Sequence, residues 1–250
     1  MFFCYITDSV NRKNVIYYNI IRKLFEKEVR QMKYEYVFFD LDGTITDPFD
    51  GITNSIVYAL HKFGIEVDDR RTLTPFIGPP LVDSFMHYYS FSHGCALAAV
   101  GYYREYYSKK GIFECSLYDG MSELLHRLHD NGVKVIMATS KPESFAERLM
   151  KHFGLSDCFA AVCGGTMDEK RSKKDDVIAY ALERAGATDR SACVMVGDRK
   201  FDIDGAKRFG LDSVGVTYGY GSGDEIAASA PTFIADSVAA LADILMGPAA

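Results

Sequence analysis

From Tyr118 onward the apolar residues of this chain alternate between a period near two and a period near 3.6, and that switching limits the fold more than any other feature. After Tyr118-Asp119-Gly120 it predicts a helix over Met121–Asp130, a strand over Val133–Thr139 and a helix after Pro142. A strand over Phe159–Cys163, a helix over Asp175–Ala185, a strand over Ala192–Val196, a helix over Ile203–Phe209 and a strand over Ser213–Val216 follow. Strands separated by helices of this length pair in parallel, so the fold class is α/β, a Rossmann-like parallel sheet with helices on both faces. One more strand lies upstream, where the aromatic run Tyr34–Asp40 stops at Asp40-Leu41-Asp42-Gly43-Thr44. Between it and Lys110 the periodicity is helical only: Ile52, Ile56, Val57 and Leu60 recur at helix spacing, as do Tyr103, Tyr106 and Tyr107. Thr74-Pro75-Phe76-Ile77-Gly78-Pro79-Pro80 breaks that run as a loop. The helical stretch is therefore an insertion, expected to cap the carboxyl ends of the strands.

At 250 residues the chain suits one main domain carrying a smaller inserted module. A net charge of −6 argues against a nucleic-acid polymer as partner, and any anionic substrate must be drawn in by local basic groups and metal. No apolar run reaches bilayer length, so no membrane partner is expected. Cys4, Cys95, Cys115, Cys158, Cys163 and Cys193 form no paired spacing and read as buried, reduced thiols of a cytoplasmic protein.

The polar clusters fall where predicted strands end, which is where open α/β sheets bind ligands. Asp40 and Asp42 follow the first strand, Thr139 and Ser140 end the second, and Asp198 and Asp202 follow Ala192–Val196. The basic run Lys170, Arg171, Lys173 and Lys174 opens a helix, whose usual meaning is a solvated helix start. Asp202 also suits a helix N-cap, and Thr139 a strand-end hydroxyl bonded to local backbone. Tyr102, Tyr103, Tyr106 and Tyr107 read as core aromatics of the insertion, and Gly215–Gly223 as a flexible connection near the cleft.

Asp40-Leu41-Asp42-Gly43-Thr44 resembles the first motif of the haloacid dehalogenase superfamily, and the other three clusters resemble its remaining motifs in order. The resemblance covers roughly Lys33 to Leu245. It implies an α/β phosphatase core over 32–47 and 117–250, with a helical cap over 48–116. It further implies Mg2+ held by Asp40, Asp198 and the carbonyl of Asp42, with Asp202 orienting the lysine or the metal shell. Asp40 would be the nucleophile that forms an aspartyl-phosphate, and the Asp42 side chain the acid and base. Thr139 and a lysine, Lys174 in preference to Lys173, would hold the phosphoryl group, Ser140 offering its amide, and Ile77, Gly78, Pro79 and Pro80 would face the substrate.

The expected activity is hydrolysis of a small phosphorylated metabolite. Phe76-Ile77-Gly78-Pro79-Pro80-Leu81 resembles the branch containing phosphoglycolate phosphatases and 5′-nucleotidase-like enzymes. In typical phosphoglycolate phosphatases proline follows the third-motif lysine, whereas Asp175 follows Lys174 here, which favours nucleoside 5′-monophosphates over phosphoglycolate. A phosphosugar mutase uses the same motifs and stays open, as does oligomeric state. A receiver-like signalling module shares the aspartate, threonine and lysine but has no place for the insertion after Asp42. Because the resemblance puts the first motif close to a start, residues 1–31 are expected to be a dispensable N-terminal extension. Met32 is then an alternative start; if present, the extension would be a helical appendage or weak membrane-surface contact.

Overall fold

The computed structural model describes residues 32–247, so the expected extension over 1–31 lies outside the described residues. Tyr36–Phe39 forms β1, and all four side chains are buried. A continuous apolar strand of this kind belongs in the middle of a covered parallel sheet. Its partners are β4 (Lys134–Pro142) and β6 (Cys193–Gly197), both parallel, with Phe39 opposite Met137 on one side and Val196 on the other. With β5 (Phe159–Gly165), β7 (Asp212–Val216) and β8 (Phe233–Ala235) the sheet has the order β5-β4-β1-β6-β7-β8. Successive strands run outward from β1 to β5, then return across β1 to β6. The crevice at the carboxyl ends beside β1 is thus the switch point of the sheet.

The crossovers are α4 (Met121–Asp130), α5 (Glu143–Phe153), α6 (Lys174–Ala185) and α7 (Lys200–Arg208), followed by α8 (Gly223–Ala228) and α9 (Val238–Met246). Helix α6 shows why they dock: Val177, Ile178, Ala181 and Leu182 recur at i, i+1, i+4 and i+5, all buried against Phe38, Ile136 and Met195. Each large apolar side chain so buried contributes about 1.5–3 kcal/mol. That docking also aims the first turn of α6 at the crevice.

Between β1 and β4 the chain leaves through β2 (Thr46–Asp47) and returns through β3 (Ser116–Leu117), which pair antiparallel. In between lie α1 (Phe49–His61), a 3-10 helix over Arg70–Phe76, α2 (Leu81–Tyr89) and α3 (His93–Tyr107). Part of the expected loop over 74–80 is therefore helical: Pro75 sits inside the 3-10 helix, and only the stretch from Ile77 to Pro80 is irregular. Ala96, Ala99, Val100, Tyr103 and Tyr107 make the buried face of α3. Tyr103 and Tyr107 stack with centroids 5.1 Å apart. Among the described residues no helix is long and apolar enough to cross a membrane. The cysteines depart from expectation at Cys95, which is exposed on α3, and Cys115, which is half-buried; Cys158, Cys163 and Cys193 are buried.

Candidate active site

The backbone of Asp40 continues the sheet ladder by donating to the Val196 carbonyl at 2.9 Å, and the chain then turns sharply. Thr44, Ile45 and Thr46 all donate their amides to the Leu41 carbonyl, between 2.9 and 3.2 Å. The turn demands a left-handed residue, which Gly43 supplies at φ +85°. A Cβ on Gly43 would meet the Asp198 carboxylate at 2.2 Å, so the glycine also lets that side chain approach the turn.

Register does the rest. Phe39 lies beside Val196, so the carboxylates that follow β1 and β6 emerge side by side. Asp40, Asp198 and Asp202 each offer an oxygen within 4.8 Å of the others, and all three are buried. Asp198 accepts the Tyr220 amide at 2.7 Å. Asp202, in the first turn of α7, accepts the Arg199 amide at 3.2 Å with one oxygen and pairs with Lys174 at 2.8 Å with the other. The N-cap position that sequence suggested for it belongs instead to Arg199; Asp202 is the third helical residue, reaching back to the cap amide, and is also a partner of the lysine. Lys174, the first residue of α6, also reaches Asp40 at 2.9 Å and the Ala138 carbonyl at 3.0 Å. Lys173 is instead the N-cap residue of α6.

Three carboxylates and one ammonium are out of balance in a buried site. Burial, aided by Asp40 and Asp202, pushes the Asp198 carboxyl up to about 8. Burial also raises Asp202, against the opposing pull of Lys174. Burial disfavours the charge on Lys174, but Asp202 and Asp40 outweigh it and hold its pKa above the ordinary lysine value. A cluster of hard oxygen donors with this surplus negative charge fits a divalent cation such as Mg2+.

Asp42 lies apart from the triad. Its side chain pairs with Lys141, whose side chain is 5% exposed against 13% for Asp42. Lys141 also sits 5.1 Å from the Tyr107 ring centroid and donates its amide to Thr139 Oγ1 at 3.3 Å. Sequence reading passed over Lys141. It lies beyond the expected strand end at Thr139, where the pairing of β4 with β5 is irregular, so alternation did not point to it.

Two cavities meet at Asp40. A smaller one of about 80 Å3 touches Asp42, Thr139, Lys141, Tyr103 and Tyr107, and a larger one of about 400 Å3 touches Lys174, Asp202, Arg199 and Phe201. Ser140, Gly78, Pro79 and Pro80 line both. Ile77 lines neither, which corrects its expected place facing substrate: its side chain is fully buried and its carbonyl accepts Arg199 Nη1 at 2.8 Å. The loop expected to be a flexible connection lines neither cavity but is hydrogen-bonded to the acidic turns. Tyr220 holds Asp198 through its amide, and its hydroxyl bonds Asp47. Tyr218 donates to the Thr44 carbonyl at 3.0 Å.

Comparison with known proteins matches residues 37–216 to the family model described as haloacid dehalogenase-like hydrolase. The chain is 41% identical over 214 residues to a 5′-nucleotidase of Pseudomonas aeruginosa, covering 86% of this chain and 96% of that protein. It is 38% identical over 201 residues to the tyrosine-protein kinase PtkA of Mycobacterium tuberculosis, covering 80% of this chain and 68% of that one. A phosphoglycolate phosphatase of Vibrio vulnificus is 30% identical over 224 residues, covering 86% and 98%. Among solved structures, a predicted phosphatase from Clostridium acetobutylicum superposes with a TM-score of 0.82 at 45% identity, over 84% of this chain and 97% of that one. With the family model spanning the sheet from β1 to β7 and the acidic turns at its switch point, the chain belongs to the haloacid dehalogenase-like hydrolases.

Proposed function

We propose that this phosphoric monoester hydrolase acts on a small phosphorylated metabolite through an aspartyl-phosphate on Asp40, with nucleoside 5′-monophosphates as the preferred substrates. The observation that carries the reading is the convergence of Asp40, Asp198 and Asp202 on one buried point with Lys174 bridging two of them. Asp40, Asp198 and Asp202 would hold Mg2+, directly or through its waters. The bound ion would offset the charge of nucleophile and phosphate, which otherwise repel. Asp40 attacks phosphorus, the ester bond breaks, and the leaving oxygen takes a proton from Asp42. Asp42 then takes a proton from water as water attacks the phospho-aspartate, releasing phosphate and restoring both residues. Lys174 stabilises charge on the transferring group, and Thr139 and the Ser140 amide donate hydrogen bonds to it.

Lys141 anchors the Asp42 carboxylate on the side of the smaller cavity. Since Asp42 lines only that cavity, the leaving oxygen is protonated from its side, and residues 48–116 act as the cap that closes over the site. The preference for nucleotides is supported by the 41% identity to a 5′-nucleotidase against 30% to a phosphoglycolate phosphatase. Turnover of a phosphomonoester panel, with Mg2+ and with chelator, tests the reading. Metal-dependent phosphate release, fastest with a nucleotide, is expected. Release unchanged by chelator would overturn the metal role. A higher kcat/KM for phosphoglycolate would reverse the ranking, and phosphosugar isomerisation without phosphate release would replace hydrolase by mutase.

A further inference from the structure

Two arginines cross the seam between segment 48–116 and the sheet in opposite directions. Arg199, next to Asp198 on the sheet side, donates Nη1 to the Ile77 carbonyl at 2.8 Å and Nε to Glu225 at 2.9 Å. Arg104, on α3, donates Nη1 to the Met167 carbonyl at 2.9 Å and pairs through Nη2 with Glu169, both in the loop after β5. Each guanidinium therefore holds one carboxylate and one main-chain carbonyl, a combination that its planar fork of donors serves well.

The gripped backbone is shaped to be held. Gly78, directly after Ile77, has φ +105°, and a Cβ there would sit 3.2 Å from Arg199 Nη1. Glu169 has φ +62°, a conformation disfavoured for any residue with a side chain, and it is the residue whose carboxylate meets Arg104. Both arginines are mostly buried, with side chains 15% and 24% exposed for Arg199 and Arg104. Arg199 lines the larger cavity and Arg104 the smaller, with the segment from Gly78 to Pro80 bordering both. Because the targets are carbonyls, the grip does not depend on which side chains stand at 77 and 167.

We propose that Arg104 and Arg199 are positioning residues that together form a reciprocal clasp, fixing Gly78-Pro79-Pro80 over Asp40 in the binding-competent arrangement. This extends the phosphatase reading and rests on it for the kinetic test. Neither guanidinium is assigned a reacting atom. Releasing the clasp lowers the fraction of molecules ready to bind, so apparent affinity falls by that fraction while saturating substrate restores closure.

The test is steady-state kinetics of the full chain in Mg2+, on a nucleoside 5′-monophosphate and on p-nitrophenyl phosphate, for Arg104→Met, Arg199→Met and Arg199→Lys. In each Met variant KM should rise about tenfold, the loss of one charged hydrogen-bond set, with kcat within about threefold. Lysine should restore less than half of that rise on a logarithmic scale, because one ammonium cannot reproduce the fork. Inorganic phosphate binding in Mg2+, measured by calorimetry, is the readout independent of turnover, and should weaken about tenfold in the same variants. Thermal melts identify a variant that fails to fold, in which case Glu169→Gln replaces Arg104→Met or Glu225→Gln replaces Arg199→Met. A tenfold fall in kcat at unchanged KM, full rescue by lysine, or unchanged phosphate affinity would overturn the clasp. A wild type that binds phosphate but turns over no ester would instead overturn the parent reading.

Discussion

Gly219→Ala separates a flexible loop from one packed tightly on the acidic turns. An ideal Cβ at Gly219 would lie 2.2 Å from the Gly43 carbonyl oxygen, 2.5 Å from Asp198 Cβ and 2.6 Å from Asp198 Oδ2. Ordinary carbon contacts begin near 3.4 Å, so the added methyl is roughly 1 Å too close to a main-chain oxygen and to a carboxylate at once. Neither can retreat freely: Gly43 is held by the hydrogen bond its N–H donates to the Thr46 carbonyl at 2.8 Å, and Asp198 by the one it accepts from the Tyr220 amide. Overpacking of this kind costs about 1–3 kcal/mol. If Asp198 holds Mg2+ as proposed, displacing its carboxylate should weaken metal affinity by about 10- to 100-fold. Urea unfolding in chelator should register the first effect, and the Mg2+ concentration for half-maximal activity the second. If Gly219→Ala left both unchanged, the loop would be pliable, and its packing on Asp198 would not matter to the site.

Asp40→Asn should abolish turnover and phospho-aspartate formation, because an amide cannot be the attacking carboxylate. Asp42→Asn should keep Mg2+ affinity close to wild type while kcat falls at least 100-fold, a magnitude expected on the order of that for losing an acid–base group; calorimetry and rate assays read the two separately. Lys141→Met should lower kcat by about tenfold or more yet add little on top of Asp42→Asn, since it acts through that side chain, and a double-mutant cycle with additive losses would refute this. Asp198 supplies a pH test. Its folded value of about 8 lies above the ordinary 3.8, so the cation-free native state keeps a proton the unfolded chain has released. The stability it contributes is therefore full below about pH 4 and is lost as pH rises through about 8. A bound cation needs the carboxylate, so Mg2+ affinity should climb with pH over the same window. Proton uptake, rather than release, on titrating Mg2+ at pH 7 would contradict it.

Elements with a strong apolar period were legible from sequence. Helix α4 occupies the expected Met121–Asp130, since its buried residues Met121, Leu124, Leu125 and Leu128 keep helical spacing between a glycine and Asn131. The strand before Asp198 was placed to within one residue because every position in it is apolar and buried. The pair β2–β3 was missed, as two residues per strand carry no period to detect. Asp40, Asp198 and Lys174 could be selected because residue type and strand-end position agreed. Lys141, Arg199 and Tyr220 could not, for a different reason. Their partners, Asp42, the Ile77 carbonyl and Asp198, are 99, 122 and 22 residues away, so the pairing exists only after the sheet and the inserted helices have packed. Ile77 failed as a site residue because a turn's outward and inward positions depend on its backbone, here fixed by Arg199 gripping the carbonyl.

The central place of β1 carries a burden during synthesis. Its two hydrogen-bonding partners, β4 and β6, begin at Lys134 and Cys193, so both edges of the aromatic strand Tyr36–Phe39 lack their final neighbours while the intervening chain is made. At ribosomal rates of about 5–20 residues per second, the second edge waits on the order of ten seconds. An unpaired apolar strand with two open edges is a template for wrong partners over that interval. The helical segment is complete before β4 emerges, and holdase chaperones that shelter β1 in the meantime should matter more to yield than any that act after β6 has docked.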